Sequence, residues 1–409
     1  MKKYLKTYYI LPGLLLILLA SGGFFQACKK DSGDSGGTPA VRYIRITDPL
    51  KSDSLIAHAF MGNNVAIIGD NLQNVVAVWF NDQSAILNTS FITSNTIIVG
   101  IPNKIPGKVT NELKLIFKDS SNIIYPFGVD VPVPMVSNLI CEYVPDAGTA
   151  VIQGNFFIDD PSAPLTVIFP GNIAGQILSF TLTEIKVKVP AGVVSGPLIV
   201  KSIYGSTRSS FFFRDDRNIL LDFDVLTAAG GWRSGVLGNS NPDPISGNYV
   251  KFEGDMAGAK GSTWNEVAFS FNFWPKKQGR PDVTYNGDIA HSALKFECNV
   301  LEPWKASALQ MIFTPYDLFD TNGFYGDAKF PRGLWIPWKN TGSFQTAGWT
   351  TITIPLSEFK YTVDGAISTV SLSKEMMKGL TFFVYNGGID GVDCKVNMCI
   401  DNIRIVPLN

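Results

Sequence analysis

Seven of the eight tryptophans (Trp232, Trp264, Trp274, Trp304, Trp335, Trp338 and Trp349) fall in the C-terminal half of the chain, and only Trp79 precedes them. An indole presents a flat apolar face and one N–H donor. A β-rich module with more indoles than its core needs is therefore equipped to hold something flat, neutral and polar. Sugar rings answer that description, because their axial C–H faces stack on aromatics while their hydroxyls stay hydrogen-bonded. Pro331 and Pro337 oppose regular pairing in the segment 330–340, which is expected to be a loop. Its indoles, Trp335 and Trp338, would then be adjacent stacking platforms, removable together without unfolding the chain. Trp274 precedes Pro275-Lys276-Lys277 and Trp304 follows Glu302-Pro303, which places both at a rim. Tyr316, Phe319, Phe324 and Tyr325 lie in a long connection rich in Asp, Asn and Gly, the kind that often carries function. Its Asp317, Asp320 and Asn322 would bond sugar hydroxyls or simply solvate the loop. Trp232 and Trp349 read instead as supports of the fold.

Other chemistries find less material. Cleavage of a glycosidic bond needs two carboxylates held roughly 5–10 Å apart. Glu253, Glu266, Glu297 and Asp282 are available, but none falls in a recognisable catalytic motif. With only His58 and His291 and no Cys-x-x-Cys, neither a zinc site nor a Ser-His-Asp set is supported. Asp222, Asp224 and Asp401 are the residues with which a structural calcium would have to be built, although their spacing is not that of a calcium loop. No catalytic residue and no other cofactor is expected. A net charge of −1 without a basic stripe excludes an electrostatic grip on nucleic acid. Cys141, Cys298, Cys394 and Cys399 set no disulfide framework. Cys394 and Cys399, five apart, face opposite sides of a regular strand.

The elements that must position these residues begin after an address segment. Lys2, Lys3 and Lys6 precede an apolar run over 10–20, shorter than the roughly 20 residues of a membrane-spanning helix. Cys28 follows Phe25-Gln26-Ala27, and residues 28–40 form a polar tether. Residues 1–27 resemble a bacterial lipoprotein signal, which implies lipidation of Cys28. An internal repeat comes next. Val65-Ala66-Ile67-Ile68-Gly69-Asp70-Asn71 is matched 85 residues later by Ala150-Val151-Ile152-Gln153-Gly154-Asn155-Phe156. Each copy continues with a second β-branched run and a Val-x-x-Pro or Val-x-Val-Pro stretch ending near Pro106-Gly107 or Gly196-Pro197. Gly69 and Gly154 are expected in tight left-handed turns. Both copies, 41–131 and 132–214, resemble immunoglobulin-like IPT/TIG domains, which implies spacer sandwiches.

Residues 215–409 are too long for a third copy and suit a larger jelly-roll-like β-sandwich. Strands are expected at 249–253, 266–273, 293–300, 308–313, 350–355, 379–385 and 396–405. The fold class is thus all-β, two tandem sandwiches followed by a larger one. Gly231-Trp232, the run Tyr249 to Gly254, the run Gly348 to Leu356 and Ile400-Asp401-Asn402-Ile403-Arg404 carry a further resemblance. Together with the domain order they resemble the multidomain surface glycan-binding lipoproteins of Bacteroidetes polysaccharide-utilisation systems, with a C-terminal domain of the xyloglucan-binding type. The resemblance implies non-catalytic binding of a polysaccharide, xyloglucan or another β-glucan or hemicellulose. It also implies a lipid anchor in the outer membrane facing outward, and partnership with a glycan transporter. A hydrolase or lyase, and a protein-binding adhesin, are the other functions weighed.

Overall fold

The computed structural model describes residues 37–51, 53–227, 236–259, 269–315, 327–385 and 388–408. Cys28, Trp232, Trp264, Glu266, Tyr316, Tyr325 and the other residues named in the 316–326 connection lie outside them. The chain divides into two compact units, Met1–Val131 and Pro132–Asn409. Among the described residues the regular elements are β-strands and short 3-10 turns.

The first unit packs a sheet of Ala40–Ile46, Asn64–Asp70 and Thr96–Gly100 against one of Gln83–Ser84, Val75–Phe80, Glu112–Phe117 and Asn122–Pro126. Alternate residues such as Val65, Ile67, Val78, Phe80, Leu113 and Leu115 fill the space between them. The second unit opens with the same plan. Met135–Leu139, Thr149–Asn155, Glu184–Lys188 and Gln176–Phe180 form one sheet. Ile173–Ala174, Thr166–Phe169, Gly196–Ser202 and Gly205–Phe213 form the other, over a core that includes Ile152, Phe169 and Val187.

The repeated glycines have a different cause from the one expected. Neither Gly69 nor Gly154 is left-handed; that conformation belongs to Asn71 (φ 54°) and Phe156 (φ 59°), two residues on. Each glycine instead faces a bulge in the first strand of its sandwich, between Val41 and Tyr43 or Val136 and Asn138. A Cβ there would collide with the carbonyl oxygen of Ala40 or Met135.

The remainder of the second unit is the larger two-sheet sandwich. One sheet runs in the order Val236–Gly238, Tyr249–Met256, Cys394–Pro407, Ser292–Val300, Thr350–Pro355, with Ile219–Leu221 also paired to Cys394–Pro407. The other runs Phe269–Phe273, Gly379–Tyr385, Ala308–Thr314, Arg332–Trp335. Phe271 lies at the centre of the core between them, stacked on Phe252 at 5.6 Å and on Phe382 at 4.9 Å. The segment 330–340 is not all loop. Arg332–Trp335 pairs with Ala308–Thr314 as the last strand of its sheet, and the prolines fall just outside it, where no ladder N–H is required. Cys394 packs toward the core and Cys399 lies on the other face, as their spacing requires, and the four described cysteines are free.

Part of the first sheet's outer face is withdrawn from water, although Glu253, Thr353 and Lys395 remain exposed on it. Lys295, Glu297, Asp401 and Arg404 are all buried there, beneath the second immunoglobulin-like sandwich. Arg404 donates to Glu297 at 2.8 and 3.0 Å within its own module and to Glu142 of the sandwich above at 2.6 Å. Lys295 Nζ reaches the other Glu142 oxygen at 2.5 Å. Thr351 donates to Glu297 and accepts the Glu142 N–H. Burial alone would lower the Arg404 pKa, but Glu297 and Glu142 outweigh it and keep the guanidinium charged. Burial also pushes Glu297 above its ordinary range, against the pull of Arg404. A bulge centred on Asn402 (φ 48°) lets Asp401 and Arg404 share the outer face while Ile400, Ile403 and Ile405 face the core. Asparagine tolerates that left-handed conformation better than most residues.

Candidate functional site

Two of the expected ligand platforms are core residues. Trp304 is fully buried and Trp338 is 5 % exposed. Trp304 donates its N–H to the Ala306 carbonyl and Trp338 donates to Ser307 O at 2.8 Å. Their rings join the central hydrophobic cluster. The reason is size: the two indoles close the end of a wide sandwich, and the turn between Trp304 and the strand Ala308–Thr314 supplies carbonyls for both donors. Removing Trp338 would therefore open a core cavity rather than leave the fold intact.

Trp335 is half-buried, its ring held edge-on by Trp304 at 5.4 Å, Phe344 at 5.5 Å and Phe296 at 5.8 Å. Trp274 is also half-buried and stands at a strand end, as expected. Its N–H donates to Asp282 at 2.8 Å, and the Lys276 and Lys277 ammonium groups lie 5.6 and 5.9 Å from its ring centre. Trp349 bonds its N–H to Asp243 O and sets its ring edge-on to Tyr249, leaving the residue half-buried.

The three aspartates considered for calcium do not converge. Asp222 Oδ1 accepts the N–H groups of Asp224, Val225 and Leu226, while Asp224 accepts from Asn248. Asp401 accepts from the Asn402 N–H and the Ser246 hydroxyl. Among the described residues no group of three acidic, histidine or cysteine side chains is arranged to hold a metal ion. Burial pushes the Asp401 carboxyl up to about 8, only partly offset by its bond from Asn402. The folded chain therefore holds a proton there that the unfolded chain releases near pH ~3.9. Stability should fall by up to about 1.4 kcal/mol per pH unit as pH rises from ~4 toward 8. Asp401→Asn keeps the acceptor and is expected to remove that slope, so that the variant exceeds the natural protein in urea midpoint at pH 8.5. Parallel pH dependences in the two proteins would count against it.

Sequence reasoning missed the outer face of the second sheet. Asn272, Thr381, Ile312 and Arg332 stand side by side across its four strands, with Gln310 and Phe383 paired in the next row. Thr381 donates to Asn272 at 2.7 Å, Arg332 to Gln310 Oε1 at 2.9 Å, and Gln310 to Val363 O at 3.1 Å. Phe383 stacks on Tyr385 with centroids 5.3 Å apart and planes at 10°. Phe330 packs over Ile312 and Phe383, and Tyr361 bridges to the Arg332 backbone. Burial lowers the Arg332 pKa to about 10, well above neutral, so the guanidinium stays charged. The face is thus a strip of amides, hydroxyls and stacked rings that is closed over: Asn272 is 5 % exposed, and Gln310, Ile312, Arg332 and Thr381 are fully buried. The signal available in the sequence was the second parity of each strand: Asn272 between phenylalanines, Gln310 beside Met311, and Thr381, Phe383 and Tyr385 at alternate positions.

Residues 213–407 match the family model of the surface glycan-binding protein B xyloglucan binding domain. A curated IPT/TIG domain-containing protein from Bacteroides ovatus is 25% identical over 314 residues, which cover 71% of this chain and 62% of that relative. The chain therefore spans about six-tenths of that relative's length. The crystal structure of the surface glycan-binding protein PbSGBP-B from Prevotella bryantii superposes with a TM-score of 0.77 at 29% identity, over 91% of this chain and 99% of that one.

Proposed function

We propose, from the premise that residues 213–407 form a surface glycan-binding protein B xyloglucan binding domain and that the chain belongs to the surface glycan-binding proteins built on it, that this protein captures a neutral β-glucan of the xyloglucan kind at the cell surface without cleaving it. The family match of the C-terminal module is the observation that carries this reading. The accessible aromatic surface agrees with it, since Trp274 stands half-buried at the rim of the second sheet. Trp274 would be the stacking surface there, whereas Trp335, at the far corner of the same sheet, packs toward the core. Tyr316 and Tyr325 belong to the connection between two strands of the same sheet, Ala308–Thr314 and Arg332–Trp335.

Of the carboxylates considered for hydrolysis, the three among the described residues have other partners, which supports binding without catalysis. Glu297 is locked under Arg404, Glu253 pairs with Lys251, and Asp282 is shared by Trp274 and Lys378. Lipidated Cys28 and the tether 28–40 would hold the protein in the outer membrane, facing outward beside a glycan transporter. Dense display and a repeating polymer would convert weak single contacts into firm capture.

Affinity electrophoresis tests this directly. The full chain should be retarded in gels containing xyloglucan, and prolonged incubation should release no reducing ends. Trp274→Ala should weaken retention about fivefold, equivalent to roughly 1 kcal/mol of stacking. Unchanged mobility of the natural protein on xyloglucan and on mixed-linkage glucan would overturn the reading. Unchanged retention of the variant would remove Trp274 from the site.

A further inference from the structure

Between the second immunoglobulin-like sandwich and the C-terminal module lies a groove of about 400 Å³, walled on one side by Thr149 and Val151 and on the other by the stretch from Phe344 to Thr350. None of its lining side chains carries a charge. The groove is preformed, because the buried Glu142–Arg404–Glu297 network and the Thr350 and Thr351 bonds to Ile140 clamp the two walls together. Its volume lies within the ~300–1,000 Å³ range of small-ligand sites.

We infer that this groove is a second glycan subsite, taking one or two neutral sugar residues with Trp349 as the stacking surface. The inference rests on the glycan-binding reading but uses a different part of the molecule. Trp349 is half-buried, and its N–H is already bonded to Asp243 O, so what it presents to the groove is ring surface rather than a donor. A ligand matched to it needs a C–H face, which a pyranose has and an ion lacks. The polar complement is neutral as well. Gln345 spends its amide N–H on Leu301 O, and among the described residues no partner engages its carbonyl oxygen or the Thr149 hydroxyl. These supply one acceptor and one donor-acceptor to sugar hydroxyls on opposite walls. Thr149, Gln345 and Ala347 are exposed, which puts the mouth of the groove in solvent. Trp274 ends a strand of the other sheet of the sandwich, so the two subsites would grip separate stretches of one polymer.

Equilibrium dialysis of the full chain against labelled xyloglucan heptasaccharide, carried to saturation, tests the inference. The natural protein should hold two oligosaccharides, and Thr149→Arg, which fills the groove from an exposed position, should hold one. Ala347→Arg, on the other wall, should do the same and keeps the test sound if the first variant fails to fold. Two oligosaccharides in both variants would overturn the subsite, as would a single one in the natural protein. In either case the glycan-binding reading survives. No bound oligosaccharide in the natural protein would overturn both.

Discussion

Replacing Arg404 by methionine is expected to destabilise the second unit by about 3–5 kcal/mol, the cost of stranding buried charge. Arg404 is fully buried, spans Glu297 and Glu142, donates to Asn402 O and lies 4.9 Å from the Tyr143 ring centre. Methionine fills much of the volume but leaves two carboxylates with Lys295 as the one remaining cation bonded to them in the cluster. Arg404→Lys should recover only part of the loss, since an ammonium cannot reproduce the paired bonds of the guanidinium. The pH dependence separates charge from packing. Without Arg404 the folded Glu297 pKa, already raised by burial, rises further above its unfolded value of ~4.3. The folded variant then binds more protons than the unfolded one, and its stability is lost as pH rises through the raised value. The deficit in urea unfolding should be smallest near pH 4 and largest near pH 8. An equal deficit at both would assign the effect to packing alone.

Gly154→Ala is expected to be nearly as damaging, on the order of 3 kcal/mol, although it adds one methyl group. That methyl would strike the Met135 carbonyl oxygen and lie 2.5 Å from Phe157 Cζ. Relief requires the bulged first strand to leave the sheet, taking its ladder bonds with it. Gly69→Ala meets the Ala40 carbonyl in the same way and should damage the first unit to a similar degree. Gly192→Ala is the control. Its φ is +77° but nothing lies within 4 Å of the added carbon, so only backbone strain of about 1 kcal/mol is expected. Denaturant midpoints for the three variants would check the order. Equal effects at positions 154 and 192 would count against the collision with the Met135 carbonyl as the reason for glycine at 154.

Much of the fold was legible because alternation and punctuation are local signals. The repeat, the all-β class and most strands of the C-terminal sandwich follow from β-branched runs cut by Gly, Pro and Asn. The short strand Arg332–Trp335 was hidden because its prolines sit at its margins, where they look like interruptions. The placement of the aromatics was less legible for a physical reason. An indole before a proline at a rim and an indole closing a core leave the same trace in sequence, and only the carbonyls of Ala306 and Ser307 distinguish them. The polar strip was hidden by the opposite problem. Gln310 and Arg332 occupy outward positions of ordinary strands, and nothing local indicates that this face is roofed. Likewise Lys295-Phe296-Glu297 reads as a half-exposed strand, because the sandwich that covers it is encoded far upstream.

The central place of Cys394–Pro407 in its sheet also sets a timetable. The strand pairs Val250 with Ile400 and Ser292 with Pro407, and its Arg404 reaches Glu142 across 262 positions. Contacts so distant along the chain form slowly, because large loops must close before any bond repays them. Each immunoglobulin-like sandwich closes within a short stretch and can mature early. The C-terminal module must wait for its keystone strand, and the clamp to its neighbour, with the groove that clamp holds open, is the last feature to assemble.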